Sequence, residues 1–206
     1  MRRLRSGSEA EMVALFLHTE FAAARFRADL RALLERAGLP ERIITDPDLG
    51  DAAGNQARRR LLAQHRAYGT NTGLFDGFPS DVRWSWMAIT PAELAQVRYV
   101  NYDYWVELSG STRLTTDAAA RIRAGMAPFG VPGDWALGMA RAVAEGARFP
   151  PLILVTARHG DGDTGGLVVL EGHARLTAFM LRPDALPPEQ DALIGSSPRM
   201  AGWGLY

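Results

Sequence analysis

The sequence predicts an α+β protein in which a small mixed sheet in the second half carries a mostly helical N-terminal extension. Three observations predict it. Hydrophobic residues make up 47% and charged residues 22% of 206 positions, enough for one sizeable core. Apolar residues recur at helical spacing through the first part of the chain. Beyond Pro150, two short apolar runs flank a Gly/Asp turn cluster and lead straight into a helix. The expected division is a helical extension over residues 1–95 and a sheet-bearing domain over 96–206.

Taken in order, Ser8 with Glu11 forms a capping box ahead of Met12, Leu15, Phe16, Phe26, Leu30, Leu33, Leu34 and Ala37. Gly38 and Pro40 stop this helical stretch. A second helix is expected from Asp51 towards Tyr68, ended by Gly69, with Arg58, Arg59 and Arg60 read as a solvated face. The Gly-rich stretch 69–79 embeds Leu74, Phe75 and Phe78, so it is either tucked under itself or lid-like. Thr90-Pro91-Ala92-Glu93 combines cap, first-position proline and box partner, which opens a short helix.

From Val100 to Leu108 apolar residues alternate with polar ones, Trp105 excepted. This reads as a half-buried strand, with a helix continued from Pro91 as the competitor. Helices fit 117–126 and 134–146. Strands fit 150–155 and 167–170, joined as a hairpin, then a helix fits 174–181 and a short strand 192–195.

Composition removes whole classes of chemistry. The chain has no cysteine, so thiolate nucleophiles, zinc-thiolate sites and disulfides are out. It has no lysine either: all 23 basic residues are arginine, which excludes the phosphate-loop lysine and Schiff-base chemistry. Net charge is zero, 23 basic against 23 acidic residues, so nucleic acid is not an expected partner. No apolar run approaches the ~18 residues of a membrane span, and Glu9, Glu11 and Glu20 interrupt the stretch after the basic start. A cytoplasmic protein with a small-molecule substrate is expected, its oligomeric state open.

The sharpest local feature is Leu170-Glu171-Gly172-His173-Ala174-Arg175: a buried strand ends, glycine turns the chain, and a helix opens with arginine in its first turn. Backbone N–H groups, the positive end of the helix dipole and a guanidinium then converge on one point, which suits a phosphate. An ordinary joint with Glu171 paired to Arg175 is the structural alternative.

This strand followed by Gly-x-x-Arg resembles the ParB/sulfiredoxin superfamily, whose members carry Gly-Glu-Arg-Arg in ParB proteins, Gly-Cys-His-Arg in sulfiredoxin and Asp-Gly-His-His-Arg in ADP-dependent free-serine kinases. The upstream order also fits, from the Val106–Arg113 segment through the helix ending in Gly146 to the Pro151 strand, so the resemblance spans residues 98–195. It implies a sheet of that type and a nucleotide, ATP or ADP or CTP, bound with Mg2+. By position, Gly172 and Arg175, with Thr177 beside them, would hold phosphates, and Arg113 would match the family's first-loop arginine. His173 stands where sulfiredoxin has its cysteine, which excludes that reductase chemistry. It also replaces the ParB glutamate, and Ala174 replaces the kinases' second histidine. Only 31 residues follow Arg175, too few for a ParB DNA-binding domain.

Phosphoryl transfer needs positioning, charge stabilisation and a base. Glu107 and Glu171 are the base candidates, with Asp103 a third and His173 beside them; Arg141 is a further possible cation. The expected function is a small-metabolite kinase or nucleotide phosphohydrolase. The alternatives are a non-catalytic ligand-binding or regulatory module, or an interaction protein with an accidental motif. Tyr99, Tyr102, Tyr104 and Trp105 could stack a base or simply pack. His159, Asp161 and Asp163 read as a hairpin tip rather than a metal site, and His18 and His65 have no second histidine at ligand spacing.

Overall fold

The computed structural model describes residues 1–157 and 166–206. Among them are five strands, β1 (Arg2–Ser6), β2 (Arg83–Ile89), β3 (Leu152–Thr156), β4 (Val168–Glu171) and β5 (Gln190–Ser196), in the order β1-β2-β5-β3-β4. The β3–β5 pair is parallel and the other three are antiparallel, so the sheet is mixed and the protein α+β.

Both faces of the sheet are covered, because side chains alternate along each strand. Leu152, Leu154, Val169, Ala192 and Ile194 enter one core, and Ile153, Val155, Val168, Leu170 and Leu193 the other. Burial on both faces is why β3 reads as an unbroken apolar run rather than an alternating one. The first core is closed by α5 (Pro91–Leu94), α6 (Asp103–Leu108), α7 (Thr115–Arg123), α8 (Asp134–Ala144) and α9 (His173–Leu181). The second is closed by α1 (Glu9–Ala22), α2 (Ala24–Ala37), α3 (Arg42–Thr45) and α4 (Ala52–Arg66), with Phe75 and Trp203. Residues 1–95 therefore supply α1–α4 to one face, the short α5 to the other, and two of the strands.

The expected caps are present. Ser8 Oγ accepts from Glu11 N, Thr90 and Glu93 complete a reciprocal box, and Gly38 ends α2 at φ 63°. The first helical stretch is two helices, broken at Ala23 (ψ 124°). The second helix stops at Ala67, itself left-handed at φ 63°, two residues before Gly69.

Two expectations are corrected. Residues 103–108 are helical, not a strand: Tyr104, Trp105 and Leu108 turn inward at a spacing of one and three, and Trp105, the residue out of phase with a strand, is the one that marks it. Arg58 is not solvated but 2% exposed, donating to the Ile43 and Asp48 carbonyls and to Asn55 Oδ1; Arg59 and Arg60 are exposed as expected. The 69–79 stretch is packed, with Phe75 2% exposed and edge-on to Tyr68 and Phe78. The His159–Asp163 cluster lies outside the described residues.

Candidate functional site

The joint between β4 and α9 gathers most of the residues the motif singled out. Gly172 stands at the N-cap of α9 with φ 106° and ψ 21°, a region glycine enters without steric cost. No side chain among the described residues caps the helix, whose first backbone bond runs from Leu176 N to Gly172 O.

A Cβ on Gly172 would come 2.5 Å from Leu152 Cδ2 and 2.8 Å from Arg175 Nη2. The dihedral thus favours glycine, and an added Cβ would also push aside the ends of the Leu152 and Arg175 side chains. Arg175 is 5% exposed; its Nη1 donates to Pro150 O at 3.1 Å and to Thr19 Oγ1 at 3.3 Å. Its Nη2 lies 3.5 Å from Glu171 Oε1, an ion pair longer than a hydrogen bond, and both Nε and Nη2 lack a hydrogen-bond partner among the described residues. Buried donors left unpaired cost about 1–3 kcal/mol each, so two on one guanidinium make Arg175 a candidate for a further acceptor.

Electrostatics sharpen the joint. Burial pushes the Glu171 carboxyl up to about 7, against the pull of Arg175 and with the push of Glu20. Burial, then the cations Arg175, Arg25 and Arg66, drives His173 down to about 3, so its ring is neutral near pH 7. The His173 ring lies nearly parallel to Trp105 at 5.0 Å, and Trp105 to Tyr99 at 4.7 Å; His173 Nε2 is buried without a hydrogen-bond partner among the described residues. Tyr99 and Trp105 thus pack against the joint from α6 and the segment before it. Tyr102, by contrast, is 58% exposed. Thr177 is fully buried, its hydroxyl donating to His173 O and 2.6 Å from the Tyr99 hydroxyl, so it steadies the first turn of α9 from within.

The remaining candidates are exposed or otherwise engaged. Glu107, Asp103 and Arg141 are exposed on α6 and α8. Arg113, at φ 62°, spends its guanidinium on the carbonyls of Tyr99 and Leu205, and burial lowers its pKa.

Residues from the first half join the site unannounced. Glu20 is 3% exposed; its Oε2 lies 2.7 Å from His65 Nε2, and Arg66 Nε donates to its Oε1 at 2.9 Å. Burial opposes the Glu20 charge, but the bonds from His65 and Arg66 outweigh it and lower its pKa. A signal existed in the sequence. Met12, Val13, Phe16, Leu17, Glu20 and Phe21 form one helical stripe, so Glu20 occupies a core position.

Two adjoining cavities of about 560 and 490 Å3 open elsewhere, at the end of the sheet where β1 and β5 finish, whereas Gly172 leaves it where β3 and β5 begin. Their charged walls include Arg59, paired with Glu9, and Arg199, paired with Asp81. At the α9 start, by contrast, unpaired buried donors and a carboxyl titrating near neutrality occur together. Among the described residues no three His, Asp or Glu side chains group as metal ligands, and no helix is long and apolar enough to cross a membrane. No protein-family model, curated protein or solved structure matches the chain.

Proposed function

We propose that the chain binds the phosphates of a nucleotide at the start of α9 and transfers a phosphoryl group to a small hydroxylated acceptor or to water. The supporting observation is the buried Arg175 guanidinium, with two unpaired donors, beside Glu171 at a helix start that no described side chain caps. In this reading the N–H groups of the first turn and Arg175 hold phosphate oxygens. Glu171, titrating near 7, takes the acceptor's proton as its oxygen attacks phosphorus; the bond to the leaving phosphate breaks and its electron pair departs with it. Glu171 alone is no resident metal site, so Mg2+ would come bound to the nucleotide's phosphates and supply charge neutralisation.

Heat stability and turnover against ATP, ADP and CTP with Mg2+ test this. One nucleotide at about a hundred times its dissociation constant should stabilise the chain by about 2.7 kcal/mol. Glu171→Gln should keep that binding and lose turnover, whereas Glu107→Gln, altering an exposed residue, should keep both. Turnover in Glu171→Gln would remove the assignment of the base.

A second reading, a module without catalysis, is favoured by the bonds from Arg175 Nη1 to Thr19 and Pro150, which tie α9, β3 and α1 together as a structural arginine would. It predicts no phosphate release with any nucleotide that binds.

A further inference from the structure

The helices of the first half bring cations to the α9 start that the motif itself does not contain. Arg25, at the beginning of α2, and Arg66, at the end of α4, place their guanidinium carbons 4.2 Å from the centroid of the same ring, Phe26. Phe26 in turn meets His65 edge-on at 5.7 Å. Arg66 and His65 hold Glu20, whose neighbour Thr19 receives a hydrogen bond from Arg175. A continuous chain of contacts therefore runs from the Gly172–Arg175 turn to Arg25. Both arginines are close enough for their charges to act on Glu171 and His173.

The two cations differ in what they already do. Arg66 neutralises Glu20, while 27% of its side chain stays exposed. Arg25 is exposed and has no carboxylate partner among the described residues; its described contact is the Phe26 ring. A guanidinium stacked on an aromatic face keeps its N–H edge free for an anion and surrenders little rotamer freedom when one arrives. The local tally is Arg25, Arg66 and Arg175 against Glu20 and Glu171, and Glu171 is half-neutral near pH 7. The excess is positive, and Arg66 reaches the turn through Glu20, whose neighbour Thr19 accepts from Arg175.

We infer that Arg25 and Arg66 form a second wall of this site and receive a second anionic group, so that the ligand is a diphosphate rather than a monophosphate. The inference rests on the phosphate reading of the α9 start. One phosphate meets the helix start and Arg175; the next meets the Arg25 edge across the turn. A diphosphate is the shortest phosphate chain with two adjacent anionic groups, and with no lysine in the chain, arginine is the permanently cationic side chain that supplies the clamp.

Calorimetric titration of the full chain with pyrophosphate and with inorganic phosphate, at low ionic strength, tests it. Arg25→Ala should weaken pyrophosphate about fivefold and Arg25→Glu should weaken it further, while inorganic phosphate stays within about twofold of the parent. Arg60→Ala, which removes an exposed arginine from α4, should leave both ions unchanged. Pyrophosphate bound equally well by the parent and Arg25→Ala would overturn the second wall and leave the α9 site standing. Equal weakening of both ions, or the same loss in Arg60→Ala, would show general surface attraction and overturn it as well. A parent chain that binds neither ion removes the α9 site and the wall together.

Discussion

The guanidinium of Arg175 lies against Gly172, where a Cβ would stand 2.8 Å from Nη2 and 3.1 Å from Nε. The motif's two fixed residues are therefore one packing unit, and the glycine makes room for its own helix's arginine. Gly172→Ala should cost about 2–4 kcal/mol, the sum of a left-handed φ and an overpacked contact with Leu152. Gly38→Ala provides the contrast: its φ is 63°, but nothing lies within 4 Å of the added methyl, so only the dihedral penalty of about 1 kcal/mol applies. Urea midpoints of the two variants check this; equal losses would contradict the close approach.

Glu171 and His173 predict opposite slopes of stability with pH. Glu171 rises from 4.5 to about 7 on folding, so the folded chain holds the extra proton and loses stability as pH climbs through that window. His173 falls from 6.5 to about 3, so the unfolded chain holds the extra proton and stability is lost as pH drops below 6.5. Between pH 4.5 and 6.5 the two contributions cancel. Glu171→Gln should uncover the histidine slope, up to about 1.4 kcal/mol per pH unit, with stability falling towards acid. His173→Gln should uncover the opposite slope, with stability falling towards pH 7. Denaturation midpoints across this range decide; profiles parallel to the parent in both variants would contradict the burial of the pair.

Three adjacent arginines on α4 differ in consequence. Arg58→Ala removes donors from the Ile43 and Asp48 carbonyls inside the α3–α4 corner and should cost about 2–3 kcal/mol. Arg59→Ala loses an exposed pair with Glu9 and should cost under about 1 kcal/mol. Thermal midpoints distinguish them, and matching values would contradict the buried placement.

Local rules carried the sequence reading where the physics is local. The Ser8 and Thr90 caps, the β3–β4 hairpin and the turn into α9 are each written within a few residues. Strand β1 was illegible because Arg2–Ser6 is an exposed edge with no apolar alternation, its pairing supplied by β2 some 80 positions away. Strand β2 carries tryptophans, methionine and isoleucine on both faces, so it shows no period either. At the site, Glu171, Gly172, His173 and Arg175 were legible as one motif. Glu20, His65 and Arg66 were not, since the contact that joins them to it, Arg175 to Thr19, spans 156 positions. Their one local trace is a carboxylate in a core stripe.

In the proposed function, phosphate oxygens meet the first turn of α9. Titrating Mg–ADP into the 15N-labelled chain and following backbone amides together with the Arg175 Nε–H tests it without any substitution. Saturable shifts centred on His173, Ala174 and Arg175 are expected, with Arg175 Nε–H among the largest. No shift at these groups, or shifts confined to the cavity around Asn71, Trp84 and Arg199, would contradict it.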